Sequence, residues 1–368
     1  MRPPSRALRG AASAALLAGL LLPQPAAVAM PYFAYRYGYA CTQCHTTVPQ
    51  LTPFGKAFKY AGYRIPGPVA QHAATPLSMQ NAILHTSGAD PSGLPKTVVD
   101  YLTVNSAGPI GRAFDYFADS YVVDGGRPGA LHDAWIEFSS GIANPDAPQD
   151  LRLKAGQFYL PLPVSPEIFR ETIAHYAVFD QTVGRNPFDL GESRLGVDAS
   201  LGAQYAGSSL HVVVTQGHDF QSGLPSSHPD LMLFGAEALD GLTLSAYAVE
   251  GARDLNGPVL DRFAREGAAA GMHFGKGELV TLLQTGSDSS ADGAGKGERS
   301  NAAFAQLRWL FSPALTGIVR QDLTGSAAGN VRSTTAAVSL RTRANSRLVV
   351  QEVFGQTRSL DLELFVAN

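Results

Sequence analysis

The sequence predicts an all-β chain: a transmembrane antiparallel β-barrel of about sixteen strands, preceded by a small N-terminal segment with one short helix that plugs the lumen. Three observations carry this expectation. Apolar residues recur at every second position through most of the chain. Hydrophobic residues make up 45% while charged residues reach only 16%, and 38 glycines punctuate the runs. Period-two alternation marks a strand with two unlike faces. The hydrophobic share excludes a disordered chain, and many glycines with few charges lean away from a soluble helical enzyme. Lys+Arg 28 against Asp+Glu 31, with no basic block, gives no electrostatic footprint for nucleic acid.

Residues 1–29 read as a cleaved signal peptide. Arg2, Arg6 and Arg9 precede an apolar run over residues 11–22, and Ala27-Val28-Ala29 supplies the small-residue cleavage pattern. The run is shorter than the ~20 residues a spanning helix needs, and Pro23 and Pro25 follow it. The mature chain would begin at Met30 with 25 basic against 31 acidic side chains. No later stretch resembles a transmembrane helix, so a membrane role requires a barrel or a surface attachment.

The two cysteines of the chain lie in Cys41-Thr42-Gln43-Cys44-His45, the attachment pattern for one covalent haem c. Two thiols three positions apart can add to the two vinyl groups of a haem, and the adjacent histidine places a ring nitrogen on the iron as proximal ligand. Zinc would want two more soft ligands, and no other cysteine exists. A thioredoxin-like redox pair would open a helix in an alternating βαβ pattern, which the sequence does not show.

Residues 30–76 form the monohaem cytochrome c segment on this reading. Nine of the 33 aromatic residues fall in it: Tyr32, Phe33, Tyr35, Tyr37, Tyr39, Phe54, Phe58, Tyr60 and Tyr63. Such rings suit the apolar envelope of a haem, and they also suit an ordinary core. Thr52 or Pro53 to Gly62 reads as the short helix, with an early proline, Phe54 and Phe58 on one face, and a glycine stop. Lys56 and Lys59 are candidates for the haem propionates, with a solvated helix face as the alternative. Forty-seven residues are too few to bury both faces of a haem, so the rest of the chain must complete the pocket.

Residues 77–368 are the barrel. Clear alternation occurs over 195–201, 242–248 and 360–366. Noisier runs cover 79–84, 98–106, 114–123, 131–138, 151–159, 203–215, 231–239, 268–274, 278–285, 303–311, 315–323, 335–341 and 347–354. Sixteen runs in 292 residues leave about 18 residues per strand and turn, which matches spanning strands of ~9–11 residues with their connections. Residues 141–150, 221–230 and 287–300 are polar loops, Asp240-Gly241 and Gly275-Lys276-Gly277 are tight turns, and Pro161, Pro163, Pro166 and Pro187 make 160–189 a long loop. A soluble β-sandwich would show the same alternation.

From Tyr39-Ala40-Cys41-Thr42-Gln43-Cys44-His45-Thr46-Thr47-Val48-Pro49 through Thr52-Pro53-Phe54-Gly55-Lys56-Ala57-Phe58-Lys59-Tyr60-Ala61-Gly62-Tyr63, the chain resembles the outer-membrane monohaem cytochrome-porin family of iron-oxidising bacteria. The resemblance implies Cys41, Cys44 and His45 as haem residues, a sixteen-strand porin barrel in the outer membrane, and ferrous iron as extracellular electron donor. It implies no sixth ligand. His72, Met79 and His85 are the first candidates after the helix, with His72 and Met79 preferred; His132, His175, His211, His218, His228 and His273 are too scattered to rank.

Three functions remain open at this point. One is an electron conduit from an extracellular donor to a periplasmic cytochrome or cupredoxin. The second is a substrate-specific porin with a haem-stapled plug. The third is a soluble periplasmic haem-binding β-sandwich protein.

Overall fold

The computed structural model describes residues 31–65, 75–88, 96–144, 149–166, 170–202, 207–216, 228–255, 259–356 and 358–367. The signal-peptide reading at 1–29, and His72, lie outside the described residues. Sixteen strands form the barrel: Ser78–Thr86, Thr97–Ile110, Phe114–Asp124, Leu131–Ser139, Leu151–Tyr159, Ser193–Leu201, Ser209–Thr215, Asp230–Leu239, Leu242–Arg253, Asp261–Phe274, Gly277–Asp288, Glu298–Ser312, Leu315–Ser326, Gly329–Arg343, Ser346–Phe354 and Arg358–Ala367. All neighbours pair antiparallel, and Arg127–Pro128 adds a two-residue extension to one hairpin. Each of the sixteen runs read from the sequence overlaps one of these strands over its described residues.

Closure is made by the last strand pairing with the first, in the register Leu364 opposite Ile83 and Phe365 opposite Ala82. This overturns the sandwich reading, because a sandwich keeps two open sheets whereas here no main edge is left unpaired. The side-chain order is also inverted relative to a soluble protein. In Ser209–Thr215 the exposed residues are Leu210, Val212 and Val214, whereas Ser209, His211 and Thr215 are buried inward. Leu282 is 1% exposed and its neighbour Leu283 is 70% exposed, so one step along the strand passes from lumen to outer face. Outward Leu, Val and Ile form the apolar band of a membrane-spanning barrel, and Phe274, Trp309, Phe311 and Phe114 lie outward near strand ends as an interfacial girdle does. Among the described residues no helix is long and apolar enough to cross a membrane.

The two ends of the barrel differ. At one end the connections are short, as at 111–113, 240–241, 275–276, 313–314 and 344–345. At the other end lie 160–192 and most of the longer loops. Ser78 and Ala367 both lie at the short-turn end.

The N-terminal segment occupies the lumen at that short-turn end. Arg64 donates to the Gly111 and Phe114 carbonyls at 3.1 and 2.6 Å, Arg152 to the Tyr60 carbonyl at 2.6 Å, and Arg341 to the Thr46 carbonyl at 2.7 Å. Its helical content exceeds the one helix expected, with Pro31–Tyr37 and a single turn at Cys41–Cys44 preceding Pro53–Tyr60. The first helix packs Tyr32, Phe33 and Tyr37 with Phe58 and Tyr63, and Phe33 stacks on Tyr63 at 5.0 Å. The predicted helix is present, capped by the Thr52 hydroxyl accepting from the Gly55 amide at 3.0 Å.

The described residues of 160–192 contain no strand, as their prolines require, yet they are not a surface loop. They fold into the lumen, where Leu162, Tyr176, Val178, Phe179, Phe188 and Leu190 join the inward faces of Val213, Met232, Phe234, Val249, Phe263, Leu282 and Phe304 in one apolar cluster. Charged wall residues around it are matched. Arg253 meets Asp230 at 2.7 and 2.6 Å, Arg265 meets Asp288 at 2.8 Å, and Asn186 of the loop donates to Asp261 and Asp288 at 2.8 and 3.0 Å.

Candidate haem-binding cavity

Cys41 opens a single helical turn whose carbonyl end is tied down by the helix behind it: the Thr52 amide donates to the Cys44 carbonyl at 2.9 Å, and the Thr52 hydroxyl donates to the Gln43 carbonyl at 2.6 Å. Gly55 makes this close approach possible, since a Cβ there would sit 2.1 Å from the Cys44 oxygen. Cys41 packs with Val48 on the barrel seam, against Ala82, Phe365 and Ala367. The two cysteines are not bridged. Burial pushes the Cys44 thiol up to about 11, which keeps it protonated at neutral pH.

His45 follows in extended conformation with Nδ1 at 3.2 Å from the Pro49 carbonyl oxygen. A carbonyl only accepts, so Nδ1 carries the proton and Nε2 keeps a free lone pair. Burial lowers the imidazole to about 4, against the opposing pull of the Pro49 and Gln50 carbonyls. The ring is therefore neutral near pH 7, the form that ligates a metal.

Both thiols and the His45 ring line one cavity of about 920 Å3, within the ~300–1,000 Å3 usual for cofactor pockets. Its walls come from three parts of the chain. The N-terminal segment supplies Phe33, Tyr37, Tyr39, Phe58 and Tyr63; the barrel wall supplies Tyr101, Phe117, Tyr121, His132 and Tyr159; the lumenal loop supplies Arg170, His175 and Asp180. The 47-residue segment thus receives the additional wall that its size called for. The cavity extends towards the long-loop end, where the 125–131 connection also lines it. The residue types suit a haem: two free thiols three positions apart in the chain, one neutral imidazole, an aromatic envelope, and Lys59, Arg127 and Arg170 as cations for propionates.

The other candidates lie elsewhere. Met79 is 44% exposed on the outer face of Ser78–Thr86, on the side away from the cavity that its neighbour Gln80 lines. His85 is exposed, with Nδ1 at 2.7 Å from the Thr97 hydroxyl, and does not line the cavity. Lys59 lines it and Lys56 does not. Among the described residues no group of three or more His, Cys, Asp or Glu could hold a bare metal ion. Sequence reasoning passed over His132 and His175, which are distant from Cys41 in the chain and reach the cavity through a strand end and the infolded loop.

No protein-family model matches the chain, and no curated protein matches it by sequence. Solved structures do match in fold. An anion-selective porin from Comamonas acidovorans superposes with a TM-score of 0.62 at 11% identity, over 79% of this chain and 98% of the other. OmpF of Salmonella typhi, solved with daunomycin, gives 0.59 at 11% identity over 79% and 97%. The outer-membrane protein OmpT of Vibrio cholerae, in its loop L8 deletion form, gives 0.55 at 7% identity over 79% and 98%. The fold is that of a porin.

Proposed function

We propose that this protein is an outer-membrane cytochrome-porin that carries single electrons between a donor outside the cell and a periplasmic carrier through one covalently bound haem c. The observation that carries the reading is that Cys41, Cys44 and His45 of the Cys41-Thr42-Gln43-Cys44-His45 motif line an aromatic-rich cavity inside a porin barrel. The porin neighbours support an outer-membrane site, reached through a signal peptide at 1–29. In barrels of this kind short turns face the periplasm, which puts the N-terminal segment at the periplasmic mouth and the far side of the cavity towards the exterior.

The haem supplies reversible one-electron chemistry at its iron. The chain's own residues do the rest. Cys41 and Cys44 would hold the group by thioether bonds, and His45 would ligate through Nε2 with its orientation fixed by the Pro49 carbonyl. The aromatic rings would shield the group from water, and Lys59, Arg127 and Arg170 would compensate its propionate charge. Each turnover oxidises the donor by one electron and reduces the carrier, a cytochrome or cupredoxin, by one electron, with no atom transferred. Ferrous iron, becoming ferric iron, is the donor that the family resemblance suggests.

A substrate-specific porin is the second reading, favoured by the fold neighbours alone. The apolar cluster filling the lumen between Phe179 and Phe304 argues for the conduit, since a diffusion channel keeps a polar, water-filled interior. Visible spectra of detergent-purified protein before and after adding ferrous iron test the proposal. Reduced haem bands that grow in with the donor are expected. Intact haem that no small donor reduces, together with open-channel solute flux, would transfer the assignment to the porin.

A further inference from the structure

We infer that His175, on the lumenal loop, is the second protein ligand that the haem iron would take from the cavity that His45 also lines. This rests on the haem reading and deepens it by naming the residue that completes the iron's coordination. A haem c that exchanges electrons commonly carries two protein ligands, the second being methionine or histidine. Among the described residues no methionine lines the cavity: Met79 and Met272 are on the outer face, and Met232 is buried in the apolar cluster. The cavity-lining histidines besides His45 are His132 and His175.

The geometry favours His175. It sits in a stretch whose neighbours Glu171, Thr172, Tyr176 and Phe179 are nearly inaccessible, yet its own side chain is 64% exposed, into the cavity. An exposed imidazole among such buried neighbours, with Asp180 beside it also open to the cavity, leaves a polar group with room for a large planar partner. The backbone beneath it is held on both sides. Gln351 accepts from the Ile173 and Ala174 amides at 2.9 and 3.1 Å, and Arg320 donates to the Ala174 carbonyl at 3.1 Å and to that of His175. Its Nδ1 lies 3.3 Å from an Asp180 carboxylate oxygen. The carboxylate accepts, so the proton stays on Nδ1 and Nε2 presents its lone pair, the same outer-sphere arrangement that Pro49 gives His45. A ligand needs this preorganisation of rotamer and tautomer.

His132 is placed differently. Its ring lies against Tyr121 with centroids 4.1 Å apart, and its Nδ1 is 2.8 Å from the Tyr159 hydroxyl. The Tyr121 contact covers one face of the ring and holds it against the wall, whereas among the described residues no such ring contact covers the exposed His175.

The test uses full-length protein in detergent, with His175→Ala, His175→Met and His132→Ala. Haem staining after denaturing electrophoresis reads attachment, heat-modifiability reads the barrel, and electron paramagnetic resonance with the near-infrared charge-transfer band reads the axial ligands. Wild type should give a low-spin signal of two imidazoles. His175→Ala should lose it to a high-spin signal with staining unchanged, and added imidazole should restore it. His175→Met should show the sulfur-ligated band and a raised reduction potential, while His132→Ala should match wild type. A low-spin spectrum that survives His175→Ala, a loss in His132→Ala instead, or a five-coordinate wild type would each overturn the inference with the haem reading intact. Wild type without covalent stain would overturn the haem reading itself, before any variant is compared.

Discussion

Glu171 joins the three bodies that close the lumen, and its removal should open them. The carboxylate, with a side chain 1% exposed, accepts from the Thr47 hydroxyl of the N-terminal segment at 2.6 Å and is paired with Arg308 of the wall. Glu171→Ala leaves a guanidinium of 12% exposure without its carboxylate. Breaking a buried pair costs about 3–5 kcal/mol, and the residual exposure of Arg308 places this case near about 3. The lost Thr47 bond adds part of the about 1.5–3 kcal/mol typical of a charged acceptor, because the hydroxyl can turn elsewhere. A total of about 3–4 kcal/mol raises the population of the displaced segment by about 10²–10³-fold at ~1.4 kcal/mol per decade. Limited trypsin digestion, which follows the open population when reclosing is fast, should accelerate accordingly at Lys59 and Arg64. Single-channel conductance in planar bilayers should rise with it. Glu171→Gln, which keeps the shape, should fall between wild type and alanine. If Glu171→Ala is digested within a factor of about 3 of wild type and conducts no better, with its barrel intact, this bridge does not hold the segment in place.

Three further outcomes are expected. Cys41→Ala/Cys44→Ala should abolish haem staining in denaturing gels while heat-modifiability persists, and stain that survives would remove the attachment assignment. Gly55→Val should lower the haem-to-protein ratio and cost about 1–3 kcal/mol in urea melts, because its Cβ would stand 2.1 Å from the Cys44 carbonyl oxygen, a backbone atom that cannot yield cheaply. Leu283→Arg, on the outer face near the middle of Gly277–Asp288, should cost about 2–4 kcal/mol of folding stability in lipid vesicles, and a neutral result would place that face away from lipid.

The strands were legible in the sequence because period-two alternation survives whichever side is wet. That symmetry is also why the barrel could not be separated from a sandwich there: Leu195, Val197 and Leu201 would read the same buried in a core as they do facing outward here. Closure depends on Leu364 meeting Ile83, a pairing with no local signature. The helix at Pro31–Tyr37 escaped notice because its aromatics were read as an envelope. The position of Phe33 four residues before Tyr37 also places the two on one helical face.

The site was legible where it is local and illegible where it is assembled. Cys41, Cys44 and His45 lie within five residues of the chain, so the attachment pattern is readable from spacing alone, and the structure brings all three to one cavity. His175 stands 130 residues beyond His45 in a proline-bearing stretch, and prolines announce only that a strand is absent. The overlooked signal was composition: Leu160, Leu162, Val164, Tyr176, Val178, Phe179, Phe188 and Leu190 are too apolar for a loop in water. A connection of that kind has to find an interior, and in a barrel with an outward apolar band the interior available is the lumen. Once it lies there it both fills the space through which solutes would pass and brings an oriented imidazole to the cavity wall. The occlusion that weakens a porin reading and the assembly of the cavity that Cys41, Cys44 and His45 line are therefore consequences of one structural event.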